Sequence, residues 1–128
     1  MKFYELLFFF VISYACKAQT LNPDLNQAEQ EIIGTWILEN DSNTKLIFQS
    51  NGTVKTYYSN TLNATHQYEI SNSCNGETLN NQLFLKTLNN QNKVIDCSYL
   101  DSINYNNSGK MTLVSQNQGK VIVLNKQP

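Results

Sequence analysis

An all-β antiparallel fold of eight strands is what the sequence predicts, on three observations. Short runs rich in β-branched and aromatic residues recur roughly every 8–12 residues along most of the chain. No helical period separates them, and the connections are too short for the crossovers that parallel strands need. The punctuation between the runs is Asn, Ser and Gly, residues that accept positive φ or bond their own backbone. On this spacing alone a meander, a sandwich and a barrel all remain open.

The chain opens on a leader. Lys2 is followed by an apolar stretch from Phe3 to Ile12, with small residues beyond it. A basic start, an apolar centre shorter than the roughly 20 residues of a bilayer span, and a small-residue end describe a secretory signal over residues 1–18. Two ends fit this leader. Cleavage after Ala18 or Ala15 frees a soluble chain, whereas Ser13-Tyr14-Ala15-Cys16 read as a lipobox puts a lipid anchor on Cys16. Either way the protein is exported, to the periplasm, to the cell envelope on a lipid anchor, or to the medium. The anchor on Cys16 is the sole membrane contact expected.

Residues 19–33 form an N-terminal segment. Asn22-Pro23-Asp24 sets out a cap, a proline for the first helical position and an acid for the first turn, so a short helix over about 23–31 is expected. Ile32 and Ile33 would dock it. The eight runs then follow at 34–40, 45–49, 53–59, 64–71, 82–88, 93–103, 110–115 and 120–126. Asn51-Gly52 between two alternating runs is a hairpin signal. The long connection is 72–81, which carries Cys74. Alternation sets Trp36, Leu38, Leu46, Phe48, Val54, Tyr58, Tyr68, Ile70, Leu83 and Leu85 on one face, against partners that are mostly polar but include Phe84. The last run, Val121-Ile122-Val123-Leu124, is apolar throughout. It is expected to be buried on both faces or covered by the N-terminal segment.

Composition narrows the chemistry. The 128 residues carry a net charge of -1, with 19 Asn, 10 Gln and no Arg. Beyond residue 18, seven Lys face nine acids with no single-sign run, so the electrostatic footprint of nucleic-acid binding is missing. One His and no Gly-rich loop leave no metal centre and no phosphate cradle to expect, hence no cofactor. Cys74 and Cys97 remain once the leader is set aside, and an even remainder in an exported chain reads as one disulfide. His66 reads as a strand surface residue. Asp96 and Asp101 flank Cys97, but no nucleophile motif accompanies these groups, so a hydrolase ranks lowest and no catalytic residue is expected.

An ordered set of motifs goes further. Gly34-Thr35-Trp36 opens the first strand behind the short helix. Phe48 then leads into Asn51-Gly52-Thr53, and Tyr68, Ile70, Ser71 and Asn72 precede a Cys in the long loop. Cys97-x-Tyr99 follows, and the chain closes on Val123 to Lys126. Over residues 32–127 or so this resembles the small exported lipocalin-like (calycin-type) proteins of flavobacteria and other Bacteroidetes. The Thr-Asp-Tyr signature of long-chain lipocalins is absent. The resemblance implies an eight-stranded antiparallel up-and-down β-barrel over 34–127. First and last strands would close it, with Trp36 beside Lys126 where lipocalins usually lay an Arg. It also implies a monomeric, non-enzymatic binding module for a small apolar or amphipathic ligand at one mouth, and the aromatic lining read for it is Tyr57, Tyr58, Tyr68 and Tyr99. The alternative is a barrel filled by its own side chains, acting in the envelope by protein–protein interaction or inhibition through loop 72–81. Mass spectrometry of the protein from its own host is expected to find an N-terminus at Gln19 (or Cys16) or a diacylglycerol on Cys16. An intact Met1 contradicts both.

Overall fold

Asp24 sets the first element. Its backbone is extended and its carboxylate accepts the Asn26 N–H at 3.2 Å, capping α1 (Leu25–Glu31). The cap is therefore Asp24; the expected cap Asn22 and first-turn Pro23 lie outside the described residues. The structure, a computed structural model, describes residues 24–128; the leader expected over 1–18, Cys16 and the head of the 19–33 segment lie outside the described residues. Ala28 and Ile32, four residues apart on one side, are fully buried. Ile33 is turned away and exposed, so Ile32 docks the segment without it.

Ten strands follow: β1 (Gly34–Leu38), β2 (Asp41–Phe48), β3 (Thr53–Tyr58), β4 (Thr61–Ser71), β5 (Ser73–Cys74), β6 (Glu77–Thr78), β7 (Leu83–Leu88), β8 (Val94–Ile103), β9 (Lys110–Ser115) and β10 (Val121–Lys126). Eight of them form a closed antiparallel barrel in the order β1-β10-β9-β8-β7-β4-β3-β2. Each pairs with its neighbours along the chain, and β10 closes the sheet on β1. Of the three architectures open on spacing, the molecule is the up-and-down barrel. Two strands begin earlier than the apolar runs indicate. The Asp41 carboxylate takes the Asn43 N–H and the Thr44 hydroxyl, carrying polar residues into the β2 ladder. Ser59 and Asn60 both adopt positive φ (47° and 66°), a two-residue turn that leaves Thr61 free to start β4.

The core has two layers. Inside the barrel, Trp36, Phe48, Val54, Ile70, Leu100, Met111 and Leu124 pack with Ala28 and Ile32 of the N-terminal segment. Outside it, the ribbon β5–β6 lies against β7 and β8 and covers Phe84, which is fully buried with Cys74 and Cys97 and flanked by Leu79 and Tyr99. Phe84 thus sits on the outer face, as its position in the alternation requires, but the ribbon removes it from water. Cys74 and Cys97 form a disulfide with Cα atoms 6.4 Å apart. The apolar β10 departs from expectation. Leu124 is buried and Ile122 packs on the core, whereas Val121 is 57% exposed, so the strand alternates like its neighbours.

The disulfide closes a 23-residue loop. Replacing both cysteines by Ser is expected to cost about 3 kcal/mol in urea unfolding, the chain-entropy value for a loop of that length. Thiol titration of the denatured, unreduced protein beyond residue 18 is expected to find no free thiol; two would contradict the bridge.

Candidate functional site

The up-and-down order puts alternate connections at opposite ends of the barrel. At the end where α1 enters β1, the opening is sealed. Trp36, fully buried, donates its indole N–H to the Ile32 carbonyl at 2.8 Å. Lys126 pairs with Trp36 across β1 and β10, donates to the Glu31 carbonyl at 2.7 Å and holds its ammonium 5.3 Å from the centre of the Trp36 ring. The Asn104 amide donates to Glu31 Oε2 at 2.9 Å, tying the helix to the connection between β8 and β9. Gly34 has to be glycine here. Its φ is 136°, and a Cβ would stand 3.1 Å from the Lys126 Cε.

The other end carries the four short hairpins at 39–40, 59–60, 89–93 and 116–120, and no described helix covers it. Strands of a closed barrel tilt against its axis, so directly paired residues form rows that climb from one end to the other. Four inward-facing rows change character as they climb. Trp36 is followed by Leu46, Thr56 and Ala64. Ile70 is followed by Leu85, Ser98 and Ser115. Phe48 leads through Val54 to His66, and Tyr68 through Thr87 to Asp96. Each begins on a large apolar or aromatic side chain at the sealed end and finishes on a small or polar one at the open end. Burial falls in the same direction, from Trp36 and Phe48 to half-buried Thr56, Ala64, His66 and Ser115 and exposed Asp96. Ile122 and Leu38 keep the β10–β1 side apolar. The inward surface is thus apolar toward the floor and, on these four rows, small or polar toward the mouth.

The four tyrosines read from the sequence are not brought together. Tyr57 faces outward beneath Lys45, whose ammonium lies 5.1 Å from its ring centre. Tyr58 ends β3 at the mouth, 55% exposed. Tyr68 faces inward near the floor, edge-on to Phe48 with centroids 5.0 Å apart, its hydroxyl donating to the Gln49 carbonyl at 2.8 Å. Tyr99 lies outside, packed on Phe84 with centroids 4.9 Å apart and donating to the Glu77 carboxylate at 2.8 Å. Period-two alternation separates these residues: consecutive Tyr57 and Tyr58 cannot share a face, and Tyr99 shares the outer face of Cys97. His66 corrects in the opposite sense. It shares the inward face of Val54, Tyr68 and Ile70 and is half-buried, not a surface residue.

Outside the barrel, Glu77 also accepts from the Gln116 amide at 3.1 Å. Gln116 in turn donates to the Cys74 carbonyl and accepts from Asn75, pinning the ribbon to the root of the 116–120 hairpin. An open groove of ≈ 490 Å³ crosses the outer face of β4 and β7 past Gln67, Glu69, Lys86 and Leu88, with Glu69 directly opposite Lys86. Among the described residues no group of three or more His, Cys, Asp or Glu is placed to hold a metal ion, and no helix is long and apolar enough to cross a membrane. No protein-family model matches the chain, and no curated protein matches it.

Two phenols are held above the ordinary range. Burial pushes Tyr68 up, with the Glu29 charge adding to it; for Tyr99 the hydrogen bond to Glu77 is the larger cause, then burial and the Glu77 charge. The unfolded chain ionises these groups at about pH 10, before the folded protein does, so their stabilisation is complete below that pH and is lost as the pH rises through the folded values. Alkaline titration followed by tyrosinate absorbance is expected to show two late phenols. Tyr68→Phe and Tyr99→Phe should each remove one, and Glu77→Gln should bring Tyr99 down. Ionisation of all tyrosines in one ordinary step contradicts the assignment.

Proposed function

We propose that this protein is an exported, non-enzymatic, lipocalin-like binding module that takes one small amphipathic molecule, apolar end first, through the mouth of its barrel opposite α1. The observation that carries this reading is the gradient along four inward rows, large and apolar or aromatic toward the helix-sealed floor and small or polar toward the mouth. Such a surface complements a molecule with an apolar tail and a polar head. Leu46, Leu85 and Leu113 would contact the tail, and Thr56, His66 and Ser98 offer hydroxyl and imidazole partners to the head. The ordered motif set from Gly34-Thr35-Trp36 to Lys126 supports the lipocalin-like assignment. The Cys74–Cys97 bridge suits an oxidising compartment and so supports export. Binding is favoured over chemistry because His66, the imidazole on the inward face, is paired with Val54 and faces no hydroxyl or carboxylate across β3. The ribbon over β7 and β8, held by the disulfide and by Glu77, favours a second reading, in which the barrel is filled and segment 72–81 meets a protein partner.

An anthroyloxy fatty acid titrated into the protein is expected to bind one to one. Thr56→Phe and Ala64→Phe, which fill the mouth, should weaken it about tenfold, worth ~1.4 kcal/mol. Alanine substitutions at Leu79 and Asn80 should leave it unchanged. No uptake by the unaltered protein would put the surface-interaction reading first.

A further inference from the structure

The large apolar side chains that the fold leaves in water are gathered around the mouth. Tyr58, Leu62, Val94, Ile95 and Val121 are each at least 36% exposed, and all five flank the hairpins at that end. Among the described residues only Leu25 and Ile33, beside the helix at the floor, are comparably exposed. The rim residues are set there by backbone irregularity as well as by alternation. Ile95 is the extra residue of a bulge between Val94, opposite Leu88, and Asp96, opposite Thr87. The β3–β4 register likewise shifts just before Leu62 meets Tyr57.

The charges near this rim are arranged to suit the same surface. Lys93 and Lys120 stand immediately before Val94 and Val121, and Lys45 lies over Tyr57. The acids at this end are engaged or turned inward: Glu39 is paired with Lys110 at 2.6 Å, Asp41 is bonded to Thr44, and Asp96 shares the inward face of Thr87. Asp24, Glu29, Glu31 and Asp101 cluster toward the floor instead. Aliphatic side chains ringed by tyrosines and lysines form the composition of a membrane interface, where amphipathic rings sit at headgroup depth and lysines reach phosphates.

We propose that the mouth rim docks on an anionic lipid bilayer, with Tyr58, Leu62, Ile95 and Val121 in the interfacial layer and Lys93 and Lys120 on headgroup phosphates. The proposal rests on the binding-module reading and names the source of the ligand, a lipidic amphiphile drawn from the bilayer directly into the barrel. The full chain is mixed with phosphatidylcholine vesicles, with and without phosphatidylglycerol. Partition is expected to rise with phosphatidylglycerol, to fall with salt, and to drop about tenfold or more when Ile95→Asp and Val121→Asp are combined, both positions being exposed and free to change without unfolding the barrel. A tryptophan placed at the rim (Tyr58→Trp) should shift to the blue on vesicles, while one at the floor (Leu25→Trp) should not. Equal partition of the unaltered chain and the Asp variant, or a shift at Leu25→Trp alone, overturns the proposal and assigns the affinity to the leader. A rim-dependent dimer in sedimentation without vesicle binding overturns it in favour of a second copy of the chain. In each case binding of the anthroyloxy fatty acid in solution still reads out the binding-module reading separately.

Discussion

Two backbone carbonyls at the end of a seven-residue helix hold the barrel shut. The last turn of any helix leaves carbonyls without a partner, and buried ones must find a donor. Here the Ile32 carbonyl takes the Trp36 indole N–H, and the Glu31 carbonyl takes the Lys126 ammonium. Trp36 belongs to the first barrel strand and Lys126 to the last, and the two are directly paired. One small node therefore joins helix, first strand and last strand. It satisfies the polar end of the largest buried ring and places a cation over that ring's face and at the helix C-terminus, where a positive charge is favoured. Gly34 clears the space that the Lys126 methylenes occupy.

Closure of that node has a consequence for the rest of the sheet. A closed barrel has no free edge along its eight strands, so outward-facing residues need not be charged to prevent edge pairing. The chain uses that freedom unevenly. On β7 and β8 it builds a second, external core under the β5–β6 ribbon. Elsewhere it leaves Val121 and Ile95 in water around the mouth. Amides supply much of the remaining polarity: asparagines at 60, 75, 92, 104, 106 and 107 hold positive φ in the turns, which keeps the connections short without many glycines.

Much of this was legible in the residues. The eight barrel strands follow the β-branched runs, and the Cys74–Cys97 bridge follows from an even cysteine count. What escaped was whatever depends on a neighbour absent from the local pattern. Phe84 reads as an outlier on a polar face because the ribbon that buries it consists of two strands of two residues, too short to leave a periodic signal. The inward Thr56, Ala64, Ser98 and Ser115 look like solvent-facing positions, since small polar residues at a barrel mouth and on a wet surface have the same composition. His66 was within reach, for it keeps the parity of Tyr68 and Ile70. Aromatic content alone groups the four tyrosines, whereas parity divides Tyr57 from Tyr58 and sends Tyr99 outside.

The ribbon also works as a strut. It leaves the chain at the floor end, crosses the outside of β8 and reaches Gln116, the residue at which the last mouth hairpin turns. That hairpin is fastened from within as well, the Ser115 hydroxyl accepting the Lys120 N–H at 2.9 Å. A hairpin braced on both sides has little conformational freedom left to surrender when something enters beside it. Any association beside that hairpin would therefore carry little ordering cost there, and this part of the mouth is a fixed brace rather than a closing lid.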